Sequence, residues 1–218
     1  MSAPVIVIIA AGPGVSGSVA RLFATNGYRV GLIGRDDEVL QELSASISAD
    51  ESRVGRVVAD VTDVEGLRSA VEHLGRSFGR IDVLHFNPSA FRAKHPLELT
   101  VDELLADVAV GVGALLTAVQ AARPFMADGA RITVTGSLAA DQPSADAASL
   151  GVQKAGVRNL VQSIDAHLGP QGVRAVSVTV RGALSRDGAF APDRVAEAIL
   201  AASQQDVESW QTEVPYTG

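Results

Sequence analysis

The stretch Val5-Ile-Val-Ile-Ile-Ala-Ala-Gly-Pro-Gly-Val-Ser-Gly17 joins a short apolar run to a glycine-rich turn. An apolar run of this length is typical of a buried strand, and an amphipathic pattern of helical period follows it. Gly12, Gly14 and Gly17 match the pattern G-x-G-x-x-G. Because glycine lets the backbone approach a pyrophosphate, whose charge a helix N-terminus stabilises, the stretch favours nucleotide binding over an ordinary strand-to-helix turn.

Short apolar runs and amphipathic segments alternate along the rest of the chain. Strands are expected at 5–10, 29–33, 53–58, 81–86, 131–135 and 173–180, and the later helices at about 37–48, 62–78, 100–129, 147–168 and 192–204. This alternation implies right-handed crossovers and an α/β, doubly wound Rossmann sheet, mostly parallel, of about seven strands. We expect a single domain over residues 1–218. Ligands of such sheets bind at the carboxyl ends of the strands.

Polar residues and prolines predict where several helices begin and end. Thr62 is expected to cap the third helix. Thr100 and Glu103 form a Thr-x-x-Glu capping box at the start of the long fourth helix. Pro124 is expected to kink or interrupt the last turn of that helix, since proline cannot donate the helical hydrogen bond.

The composition limits the possible partners. Hydrophobic residues make up 47% of the chain, the formal net charge is −7 and the pI is about 5.0. This acidic balance argues against nucleic acid or an anionic membrane as a partner. The chain has no cysteine, and its histidines lack ligand spacing, so no metal site is expected. Without a basic leader or a run of some 18 uninterrupted apolar residues, we expect a cytoplasmic protein.

The glycine turn carries a resemblance to a known family. Residues 10–17 resemble the Gly-Ala-Gly-Pro-Gly-Leu-Gly loop of a bacterial branch of the short-chain dehydrogenase/reductase family, and the continuation from Arg21 to Arg35 is similar. In this alignment Ala10 and Ser16 replace two glycines. Ser16 is expected to add atoms beside the phosphate or nicotinamide path and so to weaken cofactor affinity. The resemblance implies that a nicotinamide dinucleotide contacts Gly12, Gly14, Val15 and Ser16.

Arg35, directly after the second strand, bears on which dinucleotide is bound. An NAD site has an acid near this point for the ribose hydroxyls, and the aligned position holds Gly34. Arg35 can instead pair with a 2′-phosphate in a bidentate manner, which favours NADP(H) over NAD(H). The alternative is an exposed arginine that Asp36 and Asp37 neutralise.

Three further loops hold cofactor residues by resemblance. Asp60 and Val61 resemble the adenine-contacting Asp-Val pair of the family, although Asp60 equally suits the cap of a turn. Asn87 keeps one asparagine of the family's Asn-Asn-Ala-Gly segment, where its side chain braces the sheet. Val180-Arg-Gly-Ala-Leu replaces a Pro-Gly turn whose backbone meets the nicotinamide amide, which places Ala183 at the cofactor.

The chemistry of the family uses Asn, Ser, Tyr and Lys, and only part of that set is present. Ser137 follows the fifth strand, and Lys154 lies on the next helix, so both are the candidate catalytic residues. Lys154 is also the candidate ribose contact. The tyrosine position, four before Lys154 and 150 − 137 = 13 after Ser137, holds Leu150. Val110 falls where the helix asparagine would be. Since leucine and valine cannot transfer protons, the usual proton relay is absent.

No other residue replaces the tyrosine in an obvious way. Tyr28 lies at the wrong end of its strand, and Tyr216 reaches a site only if the tail folds back or comes from a neighbouring subunit. The groups nearer by topology are better explained as surface or capping residues: Ser149, Asp141, Asp146 and His95. Three readings therefore stay open: an NADP(H) reductase of an unknown carbonyl substrate with an unconventional proton donor, a catalytically silent binding protein, or a non-redox enzyme that reuses the pocket.

The helices at 100–128 and 147–168 also carry an expectation about assembly. In the family these helices lie side by side and form a four-helix dimer seam. Here they are rich in small apolar residues, among them Ala106, Val110, Ala114, Ala118 and Ala155. Small side chains let helices approach closely. We therefore expect a homodimer or a homotetramer.

Overall fold

The computed structural model describes residues 3–48 and 50–218, which form one parallel sheet of seven strands covered by helices on both faces. The strands are β1 (Val5–Ile9), β2 (Arg29–Gly34), β3 (Val54–Val58), β4 (Val83–Phe86), β5 (Arg131–Ser137), β6 (Arg174–Val180) and β7 (Glu213–Tyr216). Their order is β3-β2-β1-β4-β5-β6-β7, and each neighbouring pair is parallel. The predicted doubly wound parallel sheet is confirmed.

Two layers of helices bury the faces of the sheet. The helices are α1 (Val15–Thr25), α2 (Asp37–Ile47), α3 (Val64–Phe78), α4 (Val101–Val108), α5 (Ala114–Ala122), α6 (Ala148–Leu168) and α7 (Pro192–Ser203). One core contains apolar residues of α1, α2 and α7, and the other contains those of α3, α5 and α6. The chain runs outward from β1 in one direction and from β4 in the other. This change of direction opens a crevice at the carboxyl ends of β1 and β4, the usual place for a ligand.

The predicted helix at 100–129 is interrupted and ends earlier than expected. Its capping box is confirmed, since the Thr100 side chain accepts from the Glu103 amide and the Glu103 side chain accepts from the Thr100 amide. A π turn (Ala109–Gly113) separates α4 from α5. A Cβ on Gly111 in this turn would lie 2.1 Å from Gln153 Cγ, so glycine is what lets α6 pack here. After α5 a short 3₁₀ turn containing Pro124 ends the helix at Phe125.

Other predicted boundaries need smaller corrections. Asp63, not Thr62, caps α3, because its carboxylate accepts from the Gly66 amide. The tail, where no strand was placed, forms β7. Most remaining strand and helix ends move by one or two residues.

The continuous helical segment Val101–Phe125 is long and apolar enough to cross a membrane by length and composition, with a mean hydropathy of 1.8 in its most apolar window. In this fold 44% of that window is buried. Leu115, Ala118 and Ala122 of α5 lie in the core beside α3 and the sheet. Packing in the core therefore explains the apolar residues on the inner side of this segment, whereas the apolar residues on its outer side are exposed.

Candidate functional site

Two adjoining cavities lie at the carboxyl edge of the sheet. The first, here called the Arg35 cavity, has a volume of about 590 Å³ and follows the ends of β1, β2 and β3. The second, the Lys154 cavity, has a volume of about 410 Å³ and follows the ends of β4, β5 and β6. Ser89 and Phe91, in the segment after β4, line both. The two cavities are thus halves of one groove that passes the glycine turn.

The glycine turn leaves the N-terminus of α1 open to the groove. Gly14 is the N-cap, and no side chain hydrogen-bonds to the first turn of the helix. A Cβ added at Gly12 or Gly14 would meet no atom within 4 Å, whereas one at Gly17 would lie 2.5 Å from the Gly12 carbonyl oxygen. Gly17 therefore permits close packing of α1 on the turn, and Gly12 and Gly14 keep its outer surface bare. Free amides at a helix N-terminus suit a pyrophosphate.

Ala10 and Ser16 replace two glycines in the alignment with the family. Ala10 has an unusual backbone conformation, and Ser16 makes additional hydrogen bonds within the turn. Ala10 has a φ of 59°, in the left-handed region that favours glycine. Ser16 is buried, and its Oγ accepts from the Gly12 amide at 3.0 Å and donates to the Ala10 carbonyl at 3.1 Å. The Ser16 hydroxyl does add atoms to the glycine turn, and the expected weakening of cofactor affinity stays a prediction. This hydroxyl lies inside the turn and occupies one amide that an anion would otherwise use.

Arg35 is exposed on the wall of the Arg35 cavity, and the two neighbouring acids are engaged elsewhere. Asp36 caps α2 by accepting from the amides of residues 38 and 39, and Asp37 pairs with Arg56 at 3.4 Å. Within the described part of the chain, no carboxylate forms an ion pair with Arg35. Arg35 is therefore an exposed arginine, as the alternative describes, but it forms no ion pair with Asp36 or Asp37.

Asp60 and Val61 line the same cavity after β3. The Asp60 carboxylate accepts from the Thr62 amide at 2.8 Å and from the Thr62 hydroxyl at 2.7 Å, so it does stabilise a turn. These two hydrogen bonds hold the pKa of Asp60 below its usual value, and the charge of Arg35 adds to the effect. Asp60 therefore stays ionised while it lines the cavity.

Asn87 and Ser137 lie at the ends of β4 and β5, in the Lys154 cavity. Asn87 Oδ1 accepts from Thr135 Oγ1 at 2.7 Å, which ties the two strand ends together as expected of a bracing asparagine. Ser137 Oγ accepts from the Ala139 amide at 3.2 Å and caps the turn after β5. No described residue accepts the Ser137 hydroxyl proton, so that proton is available to a ligand oxygen.

Lys154 and Leu150 lie one helical turn apart on α6, and both line the Lys154 cavity. Lys154 is only 5% exposed, and its Nζ donates to the Thr135 carbonyl oxygen at 3.2 Å. Burial lowers the pKa of Lys154 to about 8. Lys154 is also the only titratable side chain among the described residues that line this cavity. The amine therefore shares its cavity with a leucine and with no acid among the described residues.

The groups considered as replacements for the tyrosine are engaged in structural contacts. Ser149 is buried and donates to Asp107 at 2.7 Å, and Asp141 pairs with Arg158 and Arg181. Tyr216 ends β7 and so lies at the carboxyl edge of the sheet within this chain, but its hydroxyl donates to the Ala189 carbonyl. Four further groups lie outside the Lys154 cavity: Asp146, His95, Tyr28 and Val110, the last of which lines the Arg35 cavity.

The loop after β6 closes one side of the Lys154 cavity. Gly182 and Leu184 line it, and Ala183 between them is exposed and is not a lining residue. The Arg181 guanidinium is held away by Asp141 at 2.9 Å, so it does not block the cavity.

Sequence reasoning missed an ion pair on the opposite wall. Asp107 of α4 is buried and accepts from Arg92 Nε and Nη2, both at 3.0 Å. Both residues line the Arg35 cavity. Gln153 Oε1 accepts from the Ala90 amide at 3.1 Å, and its Nε2 donates to the Ala90 carbonyl at 3.3 Å. Together these contacts fix the segment after β4 that both cavities share. The only sequence signal was the polar character of these residues, of which Asp107 and Gln153 fall on predicted helices.

The chain is similar in sequence to known oxidoreductases along most of its length. The model of a family described as enoyl-(acyl carrier protein) reductase matches residues 9–205. An uncharacterised oxidoreductase of Staphylococcus saprophyticus is 27% identical, over 92% of this chain and 91% of that protein. Short-chain dehydrogenase reductase 4 of Arabidopsis thaliana is 31% identical, over 82% of this chain and 60% of that protein.

Solved structures share the fold across nearly the whole chain. A short-chain dehydrogenase of Burkholderia cenocepacia, solved in complex with NADP, has a TM-score of 0.88 and 27% identity and covers 99% of this chain and 96% of its own. A short-chain dehydrogenase of Mycobacterium smegmatis has a TM-score of 0.87 and 25% identity and covers 100% of this chain and 93% of its own.

Proposed function

Since the chain belongs to the short-chain dehydrogenase/reductase family, we propose that it binds NADP(H) along its groove and interconverts a carbonyl compound and an alcohol, with Lys154 as the proton donor. The observation that carries the proposal is that one groove holds two basic side chains, Arg35 and Lys154, neither of which forms an ion pair within the described chain. The Arg35 charge lowers the pKa of Asp60 without an ion pair between them, and Lys154 is the sole titratable group among the described residues that line the other cavity.

The cofactor half of the proposal rests on the fit of the residues present. Bare amides at the start of α1 suit the pyrophosphate, and the exposed Arg35 guanidinium suits a 2′-phosphate. Asp60 and Val61 would border the adenine, and Asn87, Lys154 and the loop holding Ala183 would border the ribose and nicotinamide. One feature opposes the fit, because Ser16 uses the Gly12 amide. The related Burkholderia dehydrogenase was solved with NADP.

The chemical half uses Ser137 and Lys154. When bound, the cofactor supplies or accepts a hydride. The Ser137 hydroxyl proton, which no described residue accepts, would hydrogen-bond to the substrate oxygen. Lys154 Nζ would give that oxygen a proton on reduction and take it back on oxidation. An amine with a pKa of about 8 is mostly protonated at pH 7 and is a stronger acid than an ordinary lysine.

Leu150 gives a specific reason to consider a second function, a dinucleotide-binding protein without turnover. A leucine there cannot donate a proton, and loss of a general acid typically costs roughly 10²–10⁴ in rate. The retained Ser137 and Lys154 favour the enzyme.

Two measurements on one preparation test the proposal. NADPH fluorescence is titrated with the protein, and NADPH consumption is then followed with a panel of aldehydes and ketones. Saturable binding with turnover that Lys154→Met abolishes supports the reductase. Saturable binding without turnover of any panel member favours the binding protein. Absence of binding contradicts both functions.

A further inference from the structure

Lys154 is one of only two lysines in the 218-residue chain, although the chain has 18 lysines and arginines together. The other, Lys94, is at the surface, where its Nζ lies 2.6 Å from a Glu103 carboxylate oxygen. Arginine serves as the cation at every other basic position. The buried cation of the Lys154 cavity is thus a lysine in a chain that otherwise uses arginine. The amine of a lysine can act as a nucleophile, whereas a guanidinium cannot.

The surroundings of Lys154 bury the amine without giving it a charged partner. Its one hydrogen-bond partner within residues 3–48 and 50–218 is the neutral Thr135 carbonyl, and no carboxylate lines the cavity. Leu150, one turn earlier on α6, places an apolar side chain on the same wall. Lysines that form Schiff bases are usually desolvated among apolar groups and lack an ion partner.

From this geometry we propose that Lys154 forms an imine with an aldehyde or ketone that enters the Lys154 cavity while no cofactor is bound. The Lys154 cavity is large enough for a small molecule, at about 410 Å³. Its apolar lining selects a carbonyl compound with an apolar substituent: Val15, Phe91, Leu150, Val180 and Leu184. The inference does not depend on the proposed reduction, because it needs neither hydride nor dinucleotide.

The covalent step is balanced without any further reactant. The neutral Nζ adds its electron pair to the carbonyl carbon, and the carbonyl oxygen takes up a proton to give a carbinolamine. That oxygen then leaves as water with a second proton, while nitrogen loses its remaining protons to solvent. One amine and one carbonyl compound give one imine and one water, with no change of oxidation state. Burial lowers the pKa of this amine from 10.5 to about 8, which raises the neutral fraction at pH 7 roughly 300-fold.

The test uses the full chain, hexanal as the probe and sodium cyanoborohydride to trap the imine at pH 7. Peptide mapping by mass spectrometry reads the modification of each lysine separately, so Lys94 is an internal control. We expect Lys154 to be alkylated at least about tenfold faster than Lys94, since the Lys94 amine is paired with Glu103 and the Lys154 amine has no carboxylate in its cavity. Equal rates, or faster labelling of Lys94, would overturn the proposal without requiring any variant to fold.

Two matched variants sharpen the result. Lys154→Arg keeps the cation but cannot form an imine, and it should lose the fast-labelled peptide. Lys94→Arg should leave the labelling of Lys154 unchanged. If Lys94→Arg also lost the labelling of Lys154, a site confined to the Lys154 cavity would be contradicted. Failure of NADPH binding would not affect this outcome, so the two proposals fail separately.

Discussion

Lys154 Nζ lies 3.2 Å from the Thr135 carbonyl oxygen, and Leu150, one helical turn earlier on α6, lines the same cavity, so the buried amine is held by a neutral group in a cavity with an apolar side chain. The resemblance to the family implies a tyrosine at the position of Leu150. Lys154 has a backbone contact instead, and no tyrosine is among the described residues that line its cavity. The predictions on catalysis follow from this relationship.

Leu150→Tyr is expected to raise the rate of carbonyl reduction. A phenol in this position, beside Lys154, supplies a general acid, which is worth roughly 10²-fold or more. The gain is measured as NADPH consumption with the best substrate of the panel, and Leu150→Phe is the control of equal shape without a hydroxyl. Adding Val110→Asn should increase the gain by restoring a polar relay, at some cost in stability from the extra amide. An unchanged rate in the folded, NADPH-binding double variant would show that the cavity has diverged beyond these residues.

The rate of reduction is expected to fall as the pH rises through about 8. The pKa of Lys154 is lowered to about 8, so the proton donor is mostly present at pH 7 and is lost above pH 8. No other titratable group lines the cavity within the described residues, so a single descending limb is expected. In Leu150→Tyr the profile should change shape, because the phenol becomes the donor. A rate that is constant from pH 7 to pH 10 would exclude Lys154 as the donor.

Ser16→Ala is expected to separate stability from cofactor binding. The substitution removes two hydrogen bonds inside the glycine turn, from the Gly12 amide and to the Ala10 carbonyl, and should lower the free energy of unfolding by about 1–3 kcal/mol. The Gly12 amide is then free for a phosphate oxygen, so NADPH should bind several-fold more tightly. Urea unfolding and fluorescence titration measure the two effects. Ser18→Ala, on the same helix, is the control and should leave NADPH affinity unchanged. Weaker NADPH binding by Ser16→Ala would contradict the idea that Ser16 occupies a backbone amide that the cofactor needs.

The outer face of the helical segment 101–125 is expected to form a homodimer or homotetramer contact. Ala114 and Ala118, predicted for this contact, lie in the core instead. The exposed apolar residues are Val101, Leu105 and Leu116, with Val152 on neighbouring α6. Leu105→Glu with Leu116→Glu should convert the oligomer to a monomer in light scattering at micromolar concentration, because charges at a buried contact are costly. Val64→Glu, at an exposed position on α3, should keep the assembly, and a monomeric unmutated protein would contradict the prediction.

The sequence predicted most of the fold because the strands of a parallel sheet are buried on both faces and read as apolar runs. β7 gave no such signal, since Glu213–Tyr216 is short and contains Pro215, which an edge strand tolerates. The π turn was not predicted either. It depends on Gln153 packing against Gly111, a contact between helices that are distant in sequence.

For the site, the sequence predicted which loops meet but not where the side chains point. Ser16 was expected to add atoms beside the cofactor path, and only the folded turn shows that its hydroxyl points inward to Gly12 and Ala10. The pairing of Arg92 with Asp107 joins a loop to a helix 15 residues later, a distance that carries no periodic signal. The roles of Ser137, Lys154 and Arg35 toward ligands remain predictions.

The most direct test of NADP(H) binding by the groove is calorimetric titration of NADPH and NADH into the unmutated protein and into Arg35→Ala. A charge-assisted contact is worth roughly 1.5–3 kcal/mol, so NADPH should bind at least about tenfold more tightly than NADH. Arg35→Ala should remove this difference and leave NADH affinity unchanged. Arg56→Ala is the control, since Arg56 pairs with Asp37 and does not line the cavity. Equal affinities for NADPH and NADH in the unmutated protein, or no binding of either, would contradict the account.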